Sequence, residues 1–178
     1  MLWIILIIVG ILAGLIGLMM VVVGMLLPQN HSASLTARFA QPPEVIWATI
    51  TDHANEPSWR RDLRSKQRLD DRNGHAVWRE TRKRGDTMTF ETIAFEPPRK
   101  MVGRIADDNL PFGGTWTYEV KPAGDAAGGS TLTITEDGEI YNPAFRFIAR
   151  FIIGYRGTIT SYLAALSRKF GQEAAFID

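Results

Sequence analysis

The chain has 178 residues, with 20 Lys+Arg against 19 Asp+Glu, and no Cys. Every charged side chain lies from Arg38 onward, so the first 37 residues carry none and the other 141 are about 28% charged, close to the level of an ordinary soluble domain. This pattern excludes a plain soluble protein, a multi-pass membrane protein, a disulfide scaffold and a disordered chain, since 46% of residues are hydrophobic.

Leu2 to Leu27 is an unbroken apolar run. As a helix it would extend roughly 39 Å at about 1.5 Å per residue, enough to cross a hydrocarbon core of about 30 Å. A cleaved signal peptide would need a basic start and an apolar stretch of about 7–15 residues. Neither fits, so residues 1–28 are expected to be an uncleaved single-span anchor, with 29–31 a short linker. Gly10, Gly14, Gly17 and Gly24 form a small-residue stripe suited to packing against other transmembrane helices. Gly is also simply common in such helices. Arg38 is the only basic residue near the span, which leans the rest of the chain toward the cytoplasmic side.

Ser32–Phe39 alternates strictly, with Ala33, Leu35, Ala37 and Phe39 on one face, and predicts a half-buried strand. Pro42-Pro43-Glu44 opens a helix whose apolar side is Val45, Ile46, Trp47 and Ile50. A second short turn begins at Pro57. Strands are expected over 66–69 and 76–81, joined by an Asn73-Gly74 hairpin turn. Further strands are expected over 87–95, 100–105, 115–120 and 131–140, with a loop over 122–129. Asn142-Pro143 caps a final element in which apolar residues recur every three or four positions from Phe145 to Phe170. That spacing predicts one long amphipathic helix ending at Gly171, followed by a tail over 173–178. A curved antiparallel sheet closed by a long helix leaves a concave interior suited to an apolar ligand.

The sequence resembles the START-like (SRPBCC) superfamily, in its polyketide cyclase/dehydrase-like branch. The resemblance spans about 32–172. It rests on Pro43-Glu44-Val45-Ile46-Trp47, Thr51-Asp52 with Trp59, and Phe95-Glu96-Pro97-Pro98-Arg99. It continues through Gly114-Thr115-Trp116-Thr117-Tyr118, Leu132 to Gly138, and Asn142-Pro143. It implies an α+β helix-grip fold, a curved antiparallel sheet wrapped around a long C-terminal helix, here preceded by one transmembrane helix. It also implies a cavity for a lipid, quinone or polyketide-like molecule. The anchor is not part of the superfamily's usual pattern.

Candidate cavity residues are Trp78, Phe90, Arg104, Trp116, Tyr118, Ile134, Glu136, Ile152 and Tyr155, with Trp47, Leu132, Ile148 and Ile159 on the same apolar faces. Alternation sets Glu136 beside Leu132 and Ile134, facing inward. A buried carboxylate needs a partner or shifts its pKa upward. Glu136 is therefore the acid/base of a cyclase- or dehydratase-type enzyme, a hydrogen-bond acceptor for a ligand, or a structural group paired with a backbone amide or with an Arg such as Arg82 or Arg104. Trp78, Glu80 and Arg82 share a face, which implies a mixed polar interior. His31 and His75 are expected at the surface and His53 at a helix end. No cofactor is expected, and the spacing of the three His gives no metal site.

Ten of the twenty basic residues fall between positions 60 and 84. Arg60, Arg61, Arg64, Lys83 and Arg84 are candidates for contact with anionic headgroups, where each nearby cation contributes about 1 kcal/mol. Nucleic acid is not an expected partner, because the domain is not basic overall and lacks interleaved exposed aromatics. A non-catalytic binding protein therefore leads over an enzyme. An accessory subunit held through its anchor is the third reading.

Overall fold

The computed structural model describes residues 1–107, 109–124 and 128–177. The expected loop over 122–129 therefore falls in part outside the described residues, as does position 178 of the tail.

Helix α1 (Leu2–Leu26) is long and apolar enough to cross a membrane. Most of it touches nothing else in the chain. Strand β1 (Asn30–Phe39) follows after three residues and alternates as expected. Helix α2 (Pro43–Thr51) buries Ile46, Trp47 and Ile50, and a short 3-10 turn (Glu56–Ser58) carries the chain into the sheet.

Six strands come next: β2 (Leu63–Arg72), β3 (His75–Arg82), β4 (Thr87–Glu96), β5 (Lys100–Ile105), β6 (Phe112–Pro122) and β7 (Ser130–Ile140). Asn73 and Gly74 both take positive φ in the β2–β3 turn, 52° and 80°, the geometry for which Asn-Gly is favoured. A short strand β8 (Ala175–Ile177) pairs with β1, so part of the expected tail joins the sheet. Every pairing is antiparallel, in the order β2-β3-β4-β5-β6-β7-β1-β8.

The C-terminal segment departs from the single helix that its spacing predicts. Helix α3 (Pro143–Ile148) runs into a π turn (Ala149–Ile153), and the chain breaks at Gly154 before α4 (Gly157–Lys169). Gly154 has φ 76° and ψ 143°, a conformation open essentially to glycine alone. The helix that grips the sheet is α4. It buries Ile159, Tyr162, Leu163 and Leu166 against Leu35, Phe39, Leu132 and Ile134 of β1 and β7, forming the core with Ile46 and Ile50 of α2. This is the helix-grip architecture, with the grip shortened and a separate helical segment leading into it.

The strand registers define two ends of the sheet. Asn30, Ile140, Phe112, Ile105, Thr87, Arg82 and Leu63 share the end from which α1 departs. The opposite end holds the Asn73-Gly74 turn and Phe39.

Candidate functional site

The concave face is built by strand alternation. Trp116, Tyr118 and Val120 of β6 stand opposite Glu136, Ile134 and Leu132 of β7, while Phe90 of β4 stands opposite Trp78 of β3. Tyr118 and Trp116 meet Tyr162 of α4 at ring-centroid distances of 5.6 and 6.2 Å, and Trp59 meets the same ring at 5.4 Å. Trp78, Phe90, Ile105 and Trp116 are only half-buried, so an aromatic wall remains partly open.

Beneath this wall lies a buried ion network that the basic run at 60–84 did not announce. Lys66 Nζ lies 2.5 Å from Glu56 Oε2 and 2.9 Å from Glu80 Oε1. Arg60 Nη1 lies 2.7 Å from Glu56 Oε1 and 3.2 Å from Glu80 Oε1. Each cation thus meets both carboxylates, and the four formal charges cancel. The Glu56 side chain is 3% exposed and that of Arg60 14%. Burial alone would raise the Glu56 carboxyl. The Lys66 ammonium, the neighbouring His53 ring and the Arg60 guanidinium outweigh it and hold Glu56 well below the usual carboxylate range. Burial would likewise lower Lys66, but Glu56 and Glu80 raise it. Tyr118 and Tyr162 are pushed well above the ordinary phenol value, first by burial and then by the Glu56 charge. The cations also face rings. Arg60 Cζ is 5.4 Å from the Tyr162 centroid and Lys66 Nζ is 6.0 Å from that of Phe90.

Arg60 is therefore not a surface residue, contrary to its expected place beside the headgroups. Its partners explain the burial. Arg61, Arg64, Lys83 and Arg84 are exposed, and they cluster at the end of the sheet that carries α1. His53, 3.6 Å from Glu56 and 4.8 Å from the Trp78 ring, borders the network.

Glu136 does face inward, but neither Arg82 nor Arg104 pairs with it. Thr158, in the first turn of α4, donates to its Oε2 at 3.0 Å, and His31 Nε2 lies 3.5 Å from Oε1. His31 is nearly buried rather than exposed. Its ring stacks on Tyr155 at 4.1 Å and lies over Gly138, where any Cβ would come within 2.3 Å of it. These contacts fasten the start of α4 to β1 and β7.

Arg104 falls on the opposite, convex face of the sheet. There it donates to Glu91 Oε2 at 2.7 Å, while His75 Nδ1 bonds Oε1 at 2.7 Å. The Arg104 and His75 hydrogen bonds hold the Glu91 carboxyl below its ordinary value. A surface depression of about 420 Å³ lies at the α1 end of the sheet, lined by Arg104, Thr115, Glu139 and Tyr141 together with Ile105 and Phe112. Ile134 is fully buried in the core, and Ile152 is 68% exposed on the outside of the molecule. Trp78, Phe90, Trp116, Tyr118 and Glu136 are thus the cavity candidates that the fold brings to one concave surface, with Tyr155 at its rim. Gly10, Gly14 and Gly17 meet nothing within 4 Å in this chain. The glycine that packs is Gly24, against Pro143. Among the described residues, no group of three or more His, Asp or Glu is placed to hold a metal ion.

The sequence profile described as polyketide cyclase/dehydrase and lipid transport matches residues 30–171. No curated protein matches the sequence. Among solved structures, a START superfamily protein from Mycobacterium smegmatis is 19% identical with a TM-score of 0.59, over 78% of this chain and 96% of that one. The Zhui aromatase/cyclase from Streptomyces sp. R1128 is 15% identical with a TM-score of 0.56, over 79% and 94%. Truncated norcoclaurine synthase from Thalictrum flavum is 10% identical with a TM-score of 0.62, over 79% and 93%. At these identities the likeness is one of fold.

Proposed function

The chain belongs to the polyketide cyclase/dehydrase and lipid transport family, and from that premise we propose that it is a membrane-tethered binding protein for a hydrophobic small molecule. The observation that carries this reading is the concave aromatic wall of Trp78, Phe90 and Trp116 above the neutral Glu56–Arg60–Lys66–Glu80 network. Half-buried rings offer apolar surface worth about 25 cal/mol per Å² covered. The network provides fixed donors and acceptors that orient a polar end. A lipid, quinone or polyketide-like molecule combines those two parts.

Helix α1 supplies the tether. Its charge-free length matches a bilayer, and only three residues separate it from β1. Exposed Arg61, Arg64, Lys83 and Arg84 lie at the tethered end of the sheet, where anionic headgroups complement them. A tether that short favours ligands that partition into membranes. Binding is favoured over catalysis because Glu136 is already engaged by Thr158 and His31.

The test is contact quenching of tryptophan by a brominated fatty acid. In a Trp3→Phe background, which removes the anchor's own fluorophore, quenching should saturate. Further replacement of Trp78 and Trp116 by Phe should remove most of the saturable part. Linear quenching, unchanged by those replacements, would count against the reading.

A further inference from the structure

We infer that residues 143–153 form a second membrane contact, a short helical segment seated in the bilayer interface beside α1. The inference rests on the reading of α1 as a membrane span.

Three observations carry it. First, α3 is docked on α1. It covers one face of the last turns, where Met20, Val23 and Leu27 lose exposure and Gly24 is buried. A Cβ at Gly24 would lie 1.9 Å from the Pro143 carbonyl oxygen, so the two backbones are in direct contact. Arg146 closes the joint. Its Nη1 donates to the Gly24 and Leu27 carbonyls at 3.4 and 3.3 Å, and its Nε donates to Ile140 O at 2.8 Å. The Gly24 and Leu27 carbonyls close the C-terminal end of α1, where a helix lacks partners of its own.

Second, the segment leaves this joint with its apolar side uncovered. Phe151, Ile152 and Ile153 are 59%, 68% and 53% exposed, in sequence, in the turn that directly follows the helix docked on α1. Three such neighbours in water would be an unusual surface for a soluble domain. Phe147 packs on Phe151 at 4.9 Å, and Phe145 stacks on Phe112 of β6 at 5.8 Å, so the segment is held in place from the sheet side.

Third, depth and charge agree. A 25-residue helix extends roughly 38 Å, about 8 Å more than the hydrocarbon core, so the turn at Gly24 falls among the headgroups. Between Glu139 and Glu173 the chain has no acidic residue and five basic ones, including Arg146, Arg150 and Arg156 around the apolar triplet. Apolar side chains flanked by Arg are the pattern of a helix lying in an anionic interface.

The chain has no Cys, so one introduced thiol gives one labelling site. The full-length protein, in phosphatidylcholine–phosphatidylglycerol vesicles, would carry an environment-sensitive fluorophore at Ile152→Cys, Leu12→Cys or Lys121→Cys. The label at Ile152→Cys should emit to the blue and be quenched by lipid bearing a nitroxide near its headgroup. The label at Leu12→Cys should be quenched by nitroxide deep in the chains. The label at Lys121→Cys, at the far end of β6, should be quenched by neither. Quenching at Leu12→Cys with a water-exposed label at Ile152→Cys would overturn the inference and leave the anchor intact. Water-exposed labels at both positions would overturn the anchor and the inference together.

Discussion

Lys66 is the residue on which the interior most depends. It is the buried cation shared by Glu56 and Glu80 alongside Arg60. Removing one member of such a network strands the opposite charges in a poorly solvated site, at a cost of about 3–5 kcal/mol. Lys66→Met should lower stability by that amount in chemical denaturation, although it keeps the apolar stem nearly intact. Glu56 supplies a sign that can be checked. Its folded pKa lies below the unfolded value of about 4.3, so its contribution is complete above that pH and is lost as pH falls toward the depressed value. Thermal melts between about pH 5 and 3 should fall less steeply for Glu56→Gln than for the parent. Equal slopes would contradict the role given to this carboxylate. Little of this was readable beforehand. The shared face of Trp78, Glu80 and Arg82 implied a polar interior. Arg60 and Lys66, however, sit in a run of cations that looks like a solvated surface, because sequence does not show which charges have found buried partners. His31 was misjudged for the same reason. Its burial depends on Gly138, across the β1–β7 pairing.

At the scale of elements, periodicity succeeded where one face meets protein and the other water. Strands β1 and β7 alternate along their whole length, and β5 spans the six residues expected of it. The Asn73-Gly74 turn was legible from chemistry alone. The C-terminal run reads as one helix because apolar spacing continues across Gly154, where the structure breaks it. Ile148 and Ile152 share the phase of Ile159, yet only Ile159 is core. Spacing reports that a side chain avoids water, not whether protein or lipid receives it. Of the Gly10–Gly14–Gly17–Gly24 stripe only Gly24 makes the joint between α1 and α3, and spacing does not show that its partner is Pro143 of the same chain. Gly24→Val should therefore push α3 off α1. Amide hydrogen exchange over 143–153 should rise while that of α4 stays unchanged, because α4 is fixed separately by Thr158 and the core. Unchanged exchange over 143–153 would show that the contact is dispensable.

For the whole molecule, the fold places one apolar element in each of three settings. α4 is inside the sheet, α1 extends away from it, and the segment between Pro143 and Ile153 bridges the two. Tyr155 and Glu136, at the rim of the concave face, adjoin the end of that bridge. Under the function proposed above, the charge-free start of the chain and the concave domain are parts of one arrangement, in which the tether selects what the domain meets. The most direct measurement is mass spectrometry of organic extracts from the full-length protein, purified from membranes in mild detergent. One class of apolar molecule should be present near one per chain, and reduced in a Trp78→Asp, Trp116→Asp variant that still unfolds cooperatively. Only bulk lipid, in the same proportions from parent and variant, would contradict the proposed function.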